Sequence, residues 1–247
     1  MTGAAGPPLR EWAGSAVPLV LAVACALVAS CRGGDQERGR PPTARSVAHT
    51  PPRPLQDAPV SLEETVGRLR ELHQQRRYAE LEAFIDPRTR ISMVNTLMAM
   101  DQFLAANDEL LAALGRQLDP ALLPQWDLSA WAEAQGIFAP RVRVVSATDD
   151  GRSGTVTFQV GERLPLEEAD FLWSGDRWSY QPGPDVRGLA SAVRELAGAV
   201  SAVARRARRE TLSPQAVDEE FRLGVVPRLT AIQQLAAAES RASAARP

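Results

Sequence analysis

The chain has 247 residues, with 28 basic against 30 acidic side chains, a formal net charge of -2, 45% apolar content and two cysteines. That balance excludes a wholly disordered chain, a collagen-like repeat and a broadly basic nucleic-acid binder, and the length suits one domain with extensions or two small domains. Every basic residue is arginine, which stays a cation at any working pH.

The first ten residues form a short polar start ending in Arg10, and residues 12–29 are an apolar run free of charge. A run of about 18 residues is near the minimum for crossing a bilayer. The end of the run favours cleavage: Val28, Ala29 and Ser30 are small or branched, and Cys31 opens an abrupt polar stretch. A charged start, an apolar middle and small residues at the cut are the parts of a signal peptide, placed here at residues 1–30. Val-Ala-Ser-Cys at residues 28–31 resembles the lipobox of bacterial lipoproteins. The resemblance implies cleavage before Cys31, a diacylglycerol on its thiol and acylation of the new amino terminus. Cys25 then leaves with the signal and the mature chain keeps no free thiol, which excludes a disulfide framework, a thiolate metal site and a cysteine nucleophile. Two acyl chains anchor stably where one is marginal. Arg32 stands where, in some bacterial lipoproteins, an inner-membrane retention signal would put Asp; by resemblance to that sorting rule the expected address is the cell envelope, with the periplasmic face of the outer membrane favoured in a host that has one.

Residues 31–60 read as a tether. Six prolines, a Gly pair and almost no apolar clusters leave nothing to pack, and a flexible chain of this length reaches about 30 Å. His49 lies in it and is not expected to act as ligand or base.

Order begins at Ser61. Ser61 with Glu64 predicts a capping box, after which Leu62, Val66, Leu69 and Leu72 recur at helical spacing. A short helix runs from Tyr78 to Ile85, stopped at Asp86 and Pro87. Apolar residues from Ile91 to Leu114 predict one long helix, or one broken near Asn107, and Asp127 caps a further short helix from 128 to 135. The period then changes to two: Val142 and Val144; Val156, Phe158 and Val160; Ala169, Phe171 and Trp173; Trp178 and Tyr180. Asp150 with Gly151, and Gly175 with Asp176, favour tight hairpins, so the expectation is a four-stranded antiparallel meander. Helices first and a meander after predict an α+β domain over 61–183, the helices covering the apolar sheet face. Residues 184–247 predict a helical extension, with stripes at Leu189, Val193, Leu196, Val200 and Val203, and at Val217, Phe221, Val225, Leu229, Ile232 and Leu235. Ser213 before Pro214 reads as an N-cap with proline at the first helical position, and Gly224 with Pro227 as a kink. This pair could pack on the domain, on another copy or on a partner.

The opening ETVGRLRELHQQRRYAELEAFIDP and the hairpin FLWSGDRWSYQP resemble domains of the nuclear transport factor 2-like superfamily across residues 61–183. The resemblance implies a cone of helices on a curved sheet with a pocket between them, used by isomerases, cyclases and dehydratases and by many non-catalytic modules.

Catalytic candidates are few. His73 reads as a helix-surface or satisfied core histidine; with no second histidine beside it and no cysteine, zinc hydrolysis and Ser-His-Asp or Cys-His chemistry lack their bases. No glycine-rich phosphate loop is present, and no catalytic residue, metal ligand or cofactor is expected. Glu168 and Asp170 share one strand face and could hold a general base, but pairing with Arg141, Arg143 or Arg177 on the polar face is the plainer fate. Tyr78, Trp131, Glu168 and Asp170 are the candidate pocket, with Trp126, Trp173 and Trp178 as further apolar lining or simply core. Residues 61–183 carry 12 Arg against 19 acids and residues 184–247 carry 10 against 7. Arg205, Arg206, Arg208 and Arg209 near a helix end suit the macrodipole there, with an anionic surface, an acidic partner or a dock on the acidic domain as rivals. The resulting expectation is a lipid-anchored extracytoplasmic binding or assembly module without catalysis. Its partners would be the membrane through the anchor and an envelope protein or small apolar ligand, with homo-oligomers possible and no nucleic acid. The alternatives are a pocket enzyme of the isomerase or cyclase kind and a scaffold joined by helix pairing.

Overall fold

The computed structural model describes residues 61–183 and 188–244. The Cys31 motif, Cys25 and the tether with His49 lie outside the described residues. Ser61 opens helix α1 (Leu62–Gln74) with the expected capping box, its Oγ accepting from the Glu64 amide at 3.1 Å while Glu64 Oε2 accepts from the Ser61 amide at 2.8 Å. The next helix, α2 (Tyr78–Leu81), tightens into a 3-10 turn over Glu82–Phe84. Helix α3 (Arg90–Leu114) is unbroken at Asn107, because that side chain is buried and bonded: Nδ2 donates to Asp127 and Oδ1 accepts from the Leu128 amide. Two 3-10 segments come next, Pro120–Gln125, which sequence periodicity does not reveal, and Ser129–Phe138, where the expected short helix from 128 to 135 is 3-10 and its cap position is Leu128, with Asp127 accepting from the Ser129 amide at 2.8 Å.

The fold is α+β. The sheet is a meander in the order β1 (Val142–Asp149), β2 (Ser153–Val160), β3 (Glu167–Trp173) and β4 (Trp178–Gln181), every pair antiparallel. Gly151 and Gly175 take the positive φ that the tight turns require, 81° and 99°. A register shift between Val144 and Ser146 bulges β1. The β4 edge is closed by a bridge from Ile85 and by the Asp86 amide donating to the Tyr180 carbonyl at 2.9 Å.

Two hydrophobic cores result. In the first, Val156, Phe158, Val160, Ala169, Phe171 and Trp178 on one sheet face pack with Leu62, Leu69 and Leu72 of α1, Leu81, Ile85, and Val94 and Leu97 of α3. The second lies between the rest of α3, from Ala99 to Leu114, and the C-terminal helices α4 (Leu189–Arg209), α5 (Pro214–Glu220) and α6 (Val226–Ala244), with Trp126 and Trp131 inside it. One helix therefore supplies both cores, and the C-terminal helices pack on the chain itself. Proline at 227 has no N–H for the Leu223 carbonyl, and the chain widens there into a π turn over Phe221–Val225.

Helices α3 and α4 run parallel. Arg194 reaches Asn95 at 3.4 Å and Arg208 reaches Glu109 at 2.7 Å, both pairs 99 residues apart, so one register holds along both helices. Ala99, Ala106 and Ala113 recur every seventh residue on α3, and Ala197 and Ala204 do so on α4; all are buried, and small side chains let the two axes approach closely. The 3-10 stretch and the meander carry the chain back to make this parallel pairing possible.

Candidate functional site

The junction of the two cores is polar. Asp101, on the α3 face that points to the sheet-side helices, binds residues from three other elements. The Tyr78 hydroxyl donates a short hydrogen bond to Asp101 Oδ2, Gln135 Nε2 donates to Oδ1 at 3.3 Å, and His73 Nε2 lies 3.5 Å from Oδ2. His73 is 6% exposed, its Nε2 has no partner of hydrogen-bond geometry, and its ring stands edge-on to Phe138 and Tyr78. Burial works to raise the Asp101 carboxyl, but the neighbouring His73 imidazole and the hydrogen bonds from Tyr78 and Gln135 outweigh it and hold the group below its ordinary value. Burial first, then the bond to Asp101, pushes the Tyr78 phenol well above its ordinary value. A phenol that holds its proton and a carboxylate that stays ionised describe a lock between elements; neither group is poised near neutrality for proton transfer. Of the two expectations for His73, the core position holds, with Nε2 beside the Asp101 carboxylate but outside hydrogen-bond geometry.

A second cluster closes the end of the first core. Arg163 pairs with Glu167 at 2.8 Å and approaches Glu133 at 3.7 Å, and Glu133 also pairs with Arg141 at 2.7 Å. Glu167 Oε2 and Arg163 Nε are buried without a hydrogen-bond partner. Burial pushes the Glu167 carboxyl above its ordinary value, against the pull of Arg163 and with the help of Glu133.

The four residues expected to form a pocket are not gathered into one. Trp131 is buried in the second core, edge-on to Phe103; Tyr78 sits at the junction; Glu168 and Asp170 face outward, on the parity opposite to Ala169 and Phe171. The expected ion pairs of these two acids are also absent among the described residues. Asp170 accepts from Thr155 Oγ1 at 3.0 Å, while Arg141 turns to Glu133, Arg143 to Gln159 and Arg177 to Asp176, each finding a nearer acceptor. Trp126 is wholly buried with its indole N–H on Asp218 at 2.9 Å, and Trp173 and Trp178 pair edge-on. Sequence reasoning misses Asp101 and Glu167, yet both leave a signal. Asp101 interrupts the stripe running from Leu97 to Leu104, and Glu167 shares the inward parity of Ala169, Phe171 and Trp173.

The arginine cluster divides. Arg206 pairs with Glu210 and Glu220, and Arg208 with Glu109 of α3; Arg205 and Arg209 have no acidic partner among the described residues. Among the described residues, no helix is long and apolar enough to cross a membrane and no group of three His, Cys, Asp or Glu is placed to hold a metal ion. Comparison with protein-family models, curated proteins and solved structures finds no match.

Proposed function

We propose that this chain is a bacterial lipoprotein, anchored through Cys31, whose extracytoplasmic α+β body is a non-catalytic binding or assembly module of the cell envelope. The address rests on the residues at 28–31 and the proline-rich stretch after them. The body, over 61–183, is read as a divergent relative of the nuclear transport factor 2-like superfamily with the C-terminal helices built into it.

The observation that favours a module over a pocket enzyme is the filled space under the sheet. Phe158 and Phe171 are 1% and 0% exposed, and they pack in one core with Leu69, Leu72, Leu81 and Leu97, where a ligand would otherwise lie. The polar groups nearest that space, Asp101, Tyr78 and Gln135, are committed to one another.

Native mass spectrometry of the protein purified from its own solubilised membranes tests the reading. The expected spectrum lacks residues 1–30, carries a diacylglycerol-sized addition at Cys31 and contains a co-isolated protein. In Cys31→Ala the addition and the processing both disappear. An unprocessed wild-type amino terminus would overturn the anchor, and a small organic molecule retained by a monomer would overturn the module.

A further inference from the structure

Because α3 and α4 run parallel, their C-terminal ends lie side by side, and Arg116, just past the end of α3, comes to the same place as Arg208 and Arg209. These three line a depression of about 480 Å³ together with Gln117, Glu210 and Thr211. Part of its lining is fixed: Gln117 Nε2 donates to the Ala207 carbonyl at 2.7 Å and Oε1 accepts from the Leu212 amide at 2.8 Å. One side chain thus ties the end of α3 to the end of α4 and to the turn beyond it, which holds the backbones of the flanking arginines in place.

Neutralising the helix ends does not use up the positive charge. A helix C-terminus carries roughly half a negative charge, so two ends offset about one cation. Arg206 and Arg208 are already matched by Glu109, Glu210 and Glu220, leaving Arg116, Arg205 and Arg209 without a carboxylate among the described residues. The carboxylate on the wall, Glu210, is engaged by Arg206 at 3.2 Å. The depression is therefore lined by two arginines without a carboxylate partner among the described residues, a third shared with Glu109, and a threonine. Planar guanidinium forks bind tetrahedral oxyanions two oxygens at a time, and a phosphate has enough oxygens to meet several such donors at once.

We propose that this depression is a binding site for a phosphate group, presented either as a free phosphate or as the phosphodiester of an anionic lipid headgroup. Arg116 and Arg209 supply the principal contacts and Thr211 a hydroxyl donor, while Gln117 positions the walls. The site stands apart from the Cys31 anchor and needs neither cleavage nor acylation.

Isothermal titration of the full-length chain in neutral detergent, at constant ionic strength, tests it with two probes. These are inorganic phosphate and glycerophosphoglycerol, an anionic lipid headgroup without its chains. The expected result is saturable binding of at least one probe, weakened about tenfold or more in Arg116→Gln/Arg209→Gln, as loss of charge-assisted bonds dictates. Arg205→Gln, which removes an exposed charge without an acidic partner among the described residues and outside the depression, leaves binding within about twofold. Tighter binding of the diester assigns a lipid source, and tighter binding of inorganic phosphate assigns a free one. Absence of binding for both probes, an equal loss in Arg205→Gln, or no loss in the double variant overturns the site.

Discussion

Asp101 is the single acid set into the inward stripe of α3, and its neighbours decide its energetics. Tyr78→Phe removes the hydroxyl that donates to it and leaves a half-buried carboxylate short of one bond. The expected cost is about 2 kcal/mol, as for other hydrogen bonds to charged groups, read as a lower urea midpoint with an unchanged m-value. Asp101 and Glu167 have opposite linkage to pH. The folded state holds Asp101 below its ordinary 3.8, so its contribution is present above that value and is lost as the pH falls further. Burial holds Glu167 above its ordinary 4.5, so its contribution is full below that value and is lost as the pH rises through the raised one. Glu167→Gln removes this loss. Urea titrations at successive pH values are expected to show the variant gaining on the wild type as the pH rises from 4.5 toward neutrality; a constant difference would contradict the assignment.

At the scale of elements, one substitution has opposite expected effects in two places. Gly67 lies exposed inside α1 with nothing within 4 Å of an added methyl, so Gly67→Ala stabilises by about 0.5–1 kcal/mol through lower backbone entropy of the unfolded chain. Gly136 lies between two 3-10 turns at φ 58° and ψ -123°, a conformation closed to L side chains, so Gly136→Ala costs about 1–3 kcal/mol. Thermal melts of the two variants check both signs. The helices and strands themselves are legible because their signals are local: the Ser61 and Glu64 box, the alternation of Val156, Phe158 and Val160, the turns at Asp150 and Gly175. The 3-10 segments are less legible, since Pro120–Gln125 has neither period and buries no residue; Leu123 packs partly on the second core, and Trp126 just beyond the segment bonds Asp218.

For the whole molecule, the second core predicts what truncation does. Ending the chain after Gly183 would expose Met100, Phe103, Leu110, Leu114 and Trp126, all now buried against the C-terminal helices. Such a fragment is expected to lose cooperative unfolding and to bind a hydrophobic dye, even though the sheet-side core is formally complete. A sharp, cooperative melt of residues 61–183 would instead show that the two cores are independent. A boundary at 183 reflects the change from strand to helix period, and the core does not divide there because α3 serves both halves.

The sequence by itself determined the order of the main helices and strands, the inward sheet parity and the capped helix starts at Ser61 and Ser213, but not the 3-10 segments, since each of the former depends on residues within a few positions of one another. It also carried the whole case for the Cys31 anchor. Only the tertiary structure decided which elements meet: that α4 lies parallel to α3, that Asp101 gathers Tyr78, His73 and Gln135, that Glu168 and Asp170 face away from the pocket assigned to them, and that Arg116 joins Arg208 and Arg209. The bonds that fix these meetings join side chains from 23 to 99 residues apart, and their geometry depends on how the apolar faces pack, a property of all the faces together rather than of any one segment.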